Sequence, residues 1–155
     1  MQEINGEMAA LQTTFTQNVL DGVNAAAIVV DDHEQLAGLP EGQVAAAAAA
    51  ATARGLDGKY VIALLNTSGQ PPLSALDNRS LRERIMRGSL ARGSEAGEYD
   101  NREVITRLAE LRAERAVMLG YPNHAAYILV EQTAQTVTAV NERLASLVPP
   151  AVANA

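Results

Sequence analysis

The chain has 155 residues, about one domain on the usual scale of ~100–200 residues. It carries 12 basic against 18 acidic side chains, a net charge of -6, so it lacks the basic face a nucleic-acid binder needs. It has no Cys, which excludes disulfides, thiol catalysis and Cys-ligated zinc together. Hydrophobic residues make up 48% but aromatics only 3%, with Phe15 as the single Phe. Much of the apolar count is Ala, which favours helix and close backbone approach but buries little area per residue. Close-packed helices around a thin core are expected, with part of the packing surface belonging to something outside the chain. The first residues are polar and mixed, unlike a secretory signal. The longest apolar run, Val44 to Ala51, is far short of the ~18 residues of a membrane span. A cytoplasmic protein with neither nucleic acid nor membrane as partner is expected.

In chain order, Ile4 to Leu20 reads as a helix, with Ile4, Met8, Leu11, Phe15 and Val19 on one face. The chain starts inside this pattern, which reads as a cut through a longer helix. Asp21-Gly22 and Asn24 are expected to end it. Ala26 to Val30 is a short β-branched strand. Asp31 to Leu39 is a polar turn region. Pro40 and Glu41 suit a first helical turn, because Pro has no amide to leave unpaired and Glu complements the helix dipole. The Ala-rich helix then runs Gln43 to Arg54 and closes at Gly55. Lys59 to Leu65 is a second strand, with Tyr60–Leu65 its pairing part, and Asn66 to Pro72 is a loop. The pairing direction of the two strands stays open. Asn78 to Arg92 is a helix with Leu81, Ile85 and Leu90 on its apolar side. Gly93 to Gly97 marks a flexible joint near residues 93–98. Asp100 with Glu103 resembles a capping box. The helix that follows carries Val104, Ile105, Leu108, Leu111, Val117 and Met118. It breaks at Leu119-Gly120-Tyr121-Pro122, where Gly120 suits the left-handed position past a helix end, and Asn123 caps a restart. A last helix begins at Val137 behind Thr136 and is expected to end at Pro149-Pro150. The fold class is mainly α, with five or six helices and one two-stranded β element.

Candidate chemistry is sparse. Asp31-Asp32-His33-Glu34 places three carboxylates and an imidazole in sequence and could ligate a divalent cation. Consecutive side chains point apart, however, and the spacing lacks the alternating oxygens of a calcium loop, so the competing reading is a solvated turn. His124 lacks a nucleophile to serve as base, which leaves a first-turn surface or interface residue. With His only at 33 and 124, a His-Glu-x-x-His zinc helix is impossible. Gly88, Gly93 and Gly97 lack phosphate-loop spacing. Asn66-Thr67-Ser68 and Asn78-Arg79-Ser80 match the glycosylation pattern with no secretion signal to support them. Arg112, Glu114 and Arg115 read as a solvated face with modest ion pairs. No catalytic, cofactor-binding or metal residue is assigned.

Three segments carry a resemblance: ALLNTSGQPPLSAL from Ala63, DNRSLRERI from Asp77, and YDNREVITRLAELRAERAVMLGYPNHAAYILVEQTA from Tyr99. They resemble the thimet oligopeptidase family of zinc metallopeptidases, in its bacterial peptidyl-dipeptidase branch, also called dipeptidyl carboxypeptidase. The resemblance covers residues 2–150, and the Leu119-Gly120-Tyr121-Pro122 corner is its most specific part. It implies a multi-helix fragment of the neurolysin/thimet oligopeptidase-like fold, a single segment of residues 1–155 excised from a two-lobed metallopeptidase with a deep channel. In that family the zinc helix, with its two His and catalytic Glu, lies well downstream of the matching region. Zinc, hydrolysis of short peptides and release of C-terminal dipeptides therefore belong to a parent enzyme, whose remainder and peptide substrates are the implied partners. This chain alone is expected to be inactive. The competing class is an autonomous acidic helical module that binds a protein partner through apolar stripes.

Overall fold

In the computed structural model the described residues are 1–65, 67 and 69–154. Among them are six α-helices and a single two-stranded sheet. They divide into two compact units, one of Met1–Gln12 with Ile105–Ala155, the other of Thr13–Val104.

Helix α1 spans Gln2–Ala25, longer than its apolar period alone predicts. Ile4 and Met8 are buried and Leu11, Phe15 and Val19 half-buried, as the spacing requires, and Val23 continues the stripe. Asp21-Gly22 does not end the helix. A Cβ on Gly22 would lie 3.3 Å from Tyr99 Cβ, so the glycine makes room for a ring and its helix-breaking tendency is overridden by that packing.

In the second unit, β1 (Ile28–Val30) and β2 (Tyr60–Ile62) pair antiparallel, with Val29 opposite Val61. Both strands are shorter than the expected Ala26–Val30 and Tyr60–Leu65. Helix α2 (Glu41–Thr52) joins them behind Pro40, and Gly55 beyond its end has φ +70°. Its buried positions are Ala47 and Ala51. Helix α3 (Arg79–Ala91) is capped by Asn78, whose Oδ1 accepts the Leu81 N–H at 3.0 Å. The core gathers Val23, Val30, Leu36, Ile62, Leu64, Leu76, Leu81 and Ile85. Leu90 does not join it and is 72% exposed. At 3.6 residues per turn Leu90 lies about 140° round from Ile85, whereas Ser89 follows Leu81 and Ile85 in steps of four and is buried.

The Arg92–Tyr99 stretch is a run of turns closed by the Asn101 N–H donating to Gly93 O at 2.8 Å. Asn101 is fully buried; its Nδ2 donates to Phe15 O at 3.1 Å and its Oδ1 accepts from Asn18 Nδ2 at 3.0 Å. Helix α4 (Arg102–Met118) follows. The carboxylate of Asp100 accepts the Arg102 N–H, two residues on, so the start is an Asx-type turn and not the expected box with Glu103. Arg102 Nε also donates to it, and this pairing holds the Asp100 carboxyl down at about 2.

In the first unit Leu108, Leu111 and Ala116 are the buried positions of α4, while Ile105, Val117 and Met118 are exposed. Arg107 grips Glu7 of α1 at 2.7 Å and Glu110 at 3.2 Å. Helix α5 (His124–Leu129) and helix α6 (Val137–Ala153) complete this unit. Thr136 caps α6 through the Ala139 N–H at 3.1 Å. Pro149-Pro150 does not end α6, which continues through both residues. Proline's fixed φ suits a helix, and the carbonyls of Ala145 and Ser146, deprived of their amide partners, lie on an exposed stretch that water reaches.

Candidate functional site

The acidic tetrad sits where β1 ends and is fully exposed. Asp31 pairs with Lys59 across the strands at 2.7 Å, and this hydrogen bond and charge hold its carboxyl below the usual range. Asp32 turns back to accept the Glu34 N–H at 2.9 Å, and the His33 ring meets Tyr60 edge-on at 5.7 Å. Asp31, Asp32 and His33 are thus each engaged by a different group, the geometry of a turn and not of a chelate. Among the described residues no three His, Cys, Asp or Glu side chains gather closely enough to hold a metal ion. No helix among them is long and apolar enough to cross a membrane.

The glycines predicted to lack phosphate-loop geometry have local roles. Gly88 lets α3 approach Leu64, where a Cβ would stand 3.1 Å from Cδ1, and Gly93 has φ +69° beside Asn101. Asn78 of one glycosylation match is the α3 cap. Asn66 and Ser68 of the other lie outside the described residues.

Two arginines of α3, Arg82 and Arg84, reach backbone carbonyls. Arg82 donates to Asp77 O at 2.9 Å and Arg84 to Val29 O at 3.0 Å, while Arg87 pairs with Glu83. Arg92 donates to Leu65 O and Thr67 O, both at 2.8 Å. Beside it the buried Gln70 accepts the Leu65 N–H, donates to Leu65 O, and meets Ser89 Oγ at 3.1 Å. This clamp, invisible in the sequence, fixes the loop after β2. Its one legible trace is a serine at the buried period of α3.

The corner after α4 forms as its residues predict. Gly120 has φ +83°, its N–H donates to Val117 O and the Tyr121 N–H donates to Ala116 O, each at 2.9 Å. These are the two bonds of a Schellman end. The Asn123 side chain then accepts the Ala126 N–H at 2.9 Å. Tyr121 and Tyr127 meet at 5.4 Å with their rings tilted by 55°, both half-buried, and Arg115 lies 5.4 Å over the Tyr127 ring. Open space surrounds Gly120, so strain alone opposes a side chain there. Gly120→Val should cost about 1 kcal/mol or more, and His124→Ala about 0.5 kcal/mol or less. Urea denaturation of the two variants checks the order; a more damaging His124→Ala would show that the histidine, not the corner, holds this segment.

Beside the corner, Asn5, Met8, Ala9, Gln12, Arg112, Arg115, His124 and Ile128 line an open recess of about 380 Å³. Arg112 and Arg115 do not stand on a solvated face with Glu114 as predicted; both are half-buried, and Arg115 reaches Asn5 Oδ1 at 3.4 Å. His124 is half-buried too. Desolvation first, then the charges of Arg112 and Arg115, push its imidazole below the ordinary value. Nothing here forms a nucleophile–base pair.

Comparison with known proteins supplies what the geometry does not. The profile of Peptidase family M3 matches residues 73–154. The chain is 38% identical over 151 residues to a dipeptidyl carboxypeptidase of Escherichia coli, covering 97% of the chain and 22% of that relative. It is 35% identical over 149 residues to oligopeptidase A of the same organism, covering 94% of the chain and 22% of the relative. It is 32% identical over 151 residues to a probable cytosolic oligopeptidase A of Arabidopsis thaliana, covering 94% and 21%. The chain thus spans about a fifth of the length of the curated relatives it matches.

Proposed function

We propose, from the premise that the chain belongs to peptidase family M3, that it is a non-catalytic scaffold segment of a zinc peptidase that releases C-terminal dipeptides from short peptides. The observation that carries this reading is the coverage. Nearly the whole chain matches a dipeptidyl carboxypeptidase, yet it corresponds to only 22% of that enzyme. A two-His, one-Glu zinc centre does not fit the residues present. His33 and His124 lie in different units, and neither has a second imidazole four residues away on its helix. The rest of the parent would be this segment's partner, with peptides as the parent's substrates and the cytoplasm as its place. The Gly93–Gly97 turns are the candidate joint within the segment.

The purified chain is expected to leave blocked tripeptides and longer peptides uncleaved with zinc present, and to retain no stoichiometric zinc by elemental analysis. Tight one-to-one zinc with turnover would overturn this reading. The product of the full reading frame should carry a downstream His-Glu-x-x-His and release C-terminal dipeptides. A stop codon near Ala155 would instead favour the autonomous interaction module.

A further inference from the structure

We propose that the recess formed by Asn5, Met8, Gln12, Arg112, Arg115 and His124 is a carboxylate-binding site. The proposal stands apart from the peptidase reading, because it rests only on the groups that line this recess.

Its volume of about 380 Å³ falls within the ~300–1,000 Å³ of small-ligand sites. Every ionisable side chain lining it is cationic or can become so, and no carboxylate lines it, in a chain of net charge -6. The nearby carboxylates of Glu7 and Glu110 are engaged by Arg107. Two lining residues also hold a buried nitrogen with no hydrogen-bond partner, Arg115 Nε and His124 Nδ1. Buried polar nitrogens left unpaired are costly; Arg115 Nε is always a donor and His124 Nδ1 becomes one when the ring is protonated, so the pair suits an acceptor that the chain does not itself supply. The hydrogen bond of Arg115 to Asn5 Oδ1 is long at 3.4 Å, and its other contact is the face of the Tyr127 ring at 5.4 Å, which offers no lone pair. A guanidinium fork matches the two oxygens of a carboxylate, and Met8 and Ile128 add apolar surface to the lining.

The charged groups facing His124 are Arg112 and Arg115 of α4. From α1 the recess receives only the neutral Asn5 and Gln12, and from its own helix the ring of Tyr127 at 6.3 Å. Desolvation first, and then the two guanidinium charges, lowers the pKa of the imidazole. A bound carboxylate opposes those charges, so binding and protonation of His124 are linked, and the His124 pKa must rise on binding.

The chain contains only two imidazoles, so His33 serves as an internal control. Imidazole NMR titrations of the full chain, in citrate and in potassium chloride at matched ionic strength, test the site. Citrate should raise the His124 pKa by about half a unit or more and leave His33 unmoved. Arg112→Gln should abolish the rise and Arg112→Lys should keep part of it, with circular dichroism confirming that both variants fold. An equal rise in chloride, a rise that survives Arg112→Gln, or no rise at all overturns the proposal. The longer product of the reading frame separates two sources of the carboxylate, with its His124 signal identified by loss in His124→Gln. A signal that still responds to citrate assigns a free ligand. One already titrating high and no longer responsive assigns an Asp or Glu side chain of the parent. One that stays low and unresponsive overturns the site.

Discussion

One methyl group added at Gly38 is expected to destabilise the chain by about 3 kcal/mol or more. Gly38 has φ +90°, in the left-handed region that L side chains resist. That strain alone costs on the order of 1 kcal/mol. The larger cost is steric, because a Cβ there would stand 2.1 Å from Ala75 O and 3.0 Å from Asp77 N. Both are backbone atoms, which cannot swing aside as a side-chain tip can. The two loops meet at this point through the Asp77 N–H donating to Ala37 O at 2.9 Å, so moving one away from the other breaks that bond. They also carry Leu36 and Leu76 into the core. Gly55→Ala is the control. Gly55 has φ +70° with nothing near its missing Cβ, so it should lose only the ~1 kcal/mol of conformational strain. Urea denaturation of both variants separates clash from strain. If Gly38→Ala costs no more than Gly55→Ala, the close approach of the two loops is not as rigid as described.

What could be read from the sequence was local. The caps at Asn123 and Thr136 and the Gly120 corner depend on residues within one turn of each other, and all three form as predicted. The strands fell on the β-branched runs, but their antiparallel pairing depends on the path of the α2 connection, which no residue spells out. The run of α1 through Gly22 depends on Tyr99, remote in sequence. The recess escaped for the same reason. Arg112 and Arg115 looked like partners for Glu114, and it is the turn at Gly120 that brings His124 and Tyr127 back beside them. The family was legible, through the corner and its flanking helices. No catalytic centre was assigned from the sequence, and the chain matches about a fifth of the length of its relatives.

The sharpest contrast between pattern and packing lies on α3, where Ile85→Ala should cost about 3 kcal/mol, within the ~2–5 kcal/mol of such truncations, and Leu90→Ala about 0.5 kcal/mol or less. The sequence placed both residues on one apolar side. Ile85 is fully buried among Val30, Leu36, Ile62, Leu64, Leu76 and Leu81, so removing its outer carbons forfeits their transfer energy and leaves a cavity. The small, Ala-rich elements around it cannot collapse far to refill the space, because α3 is held by Arg84 on Val29 O and by Arg92 on the loop after β2. Leu90, turned away, has little buried area to lose. Chemical denaturation of the two variants in the isolated chain measures the difference. Equal losses would mean that α3 is rotated relative to this description and that Leu90, not Ser89, faces the core. The same pair read in the longer reading-frame product adds one discrimination. A Leu90→Ala cost that appears only there would show that the parent covers this exposed leucine.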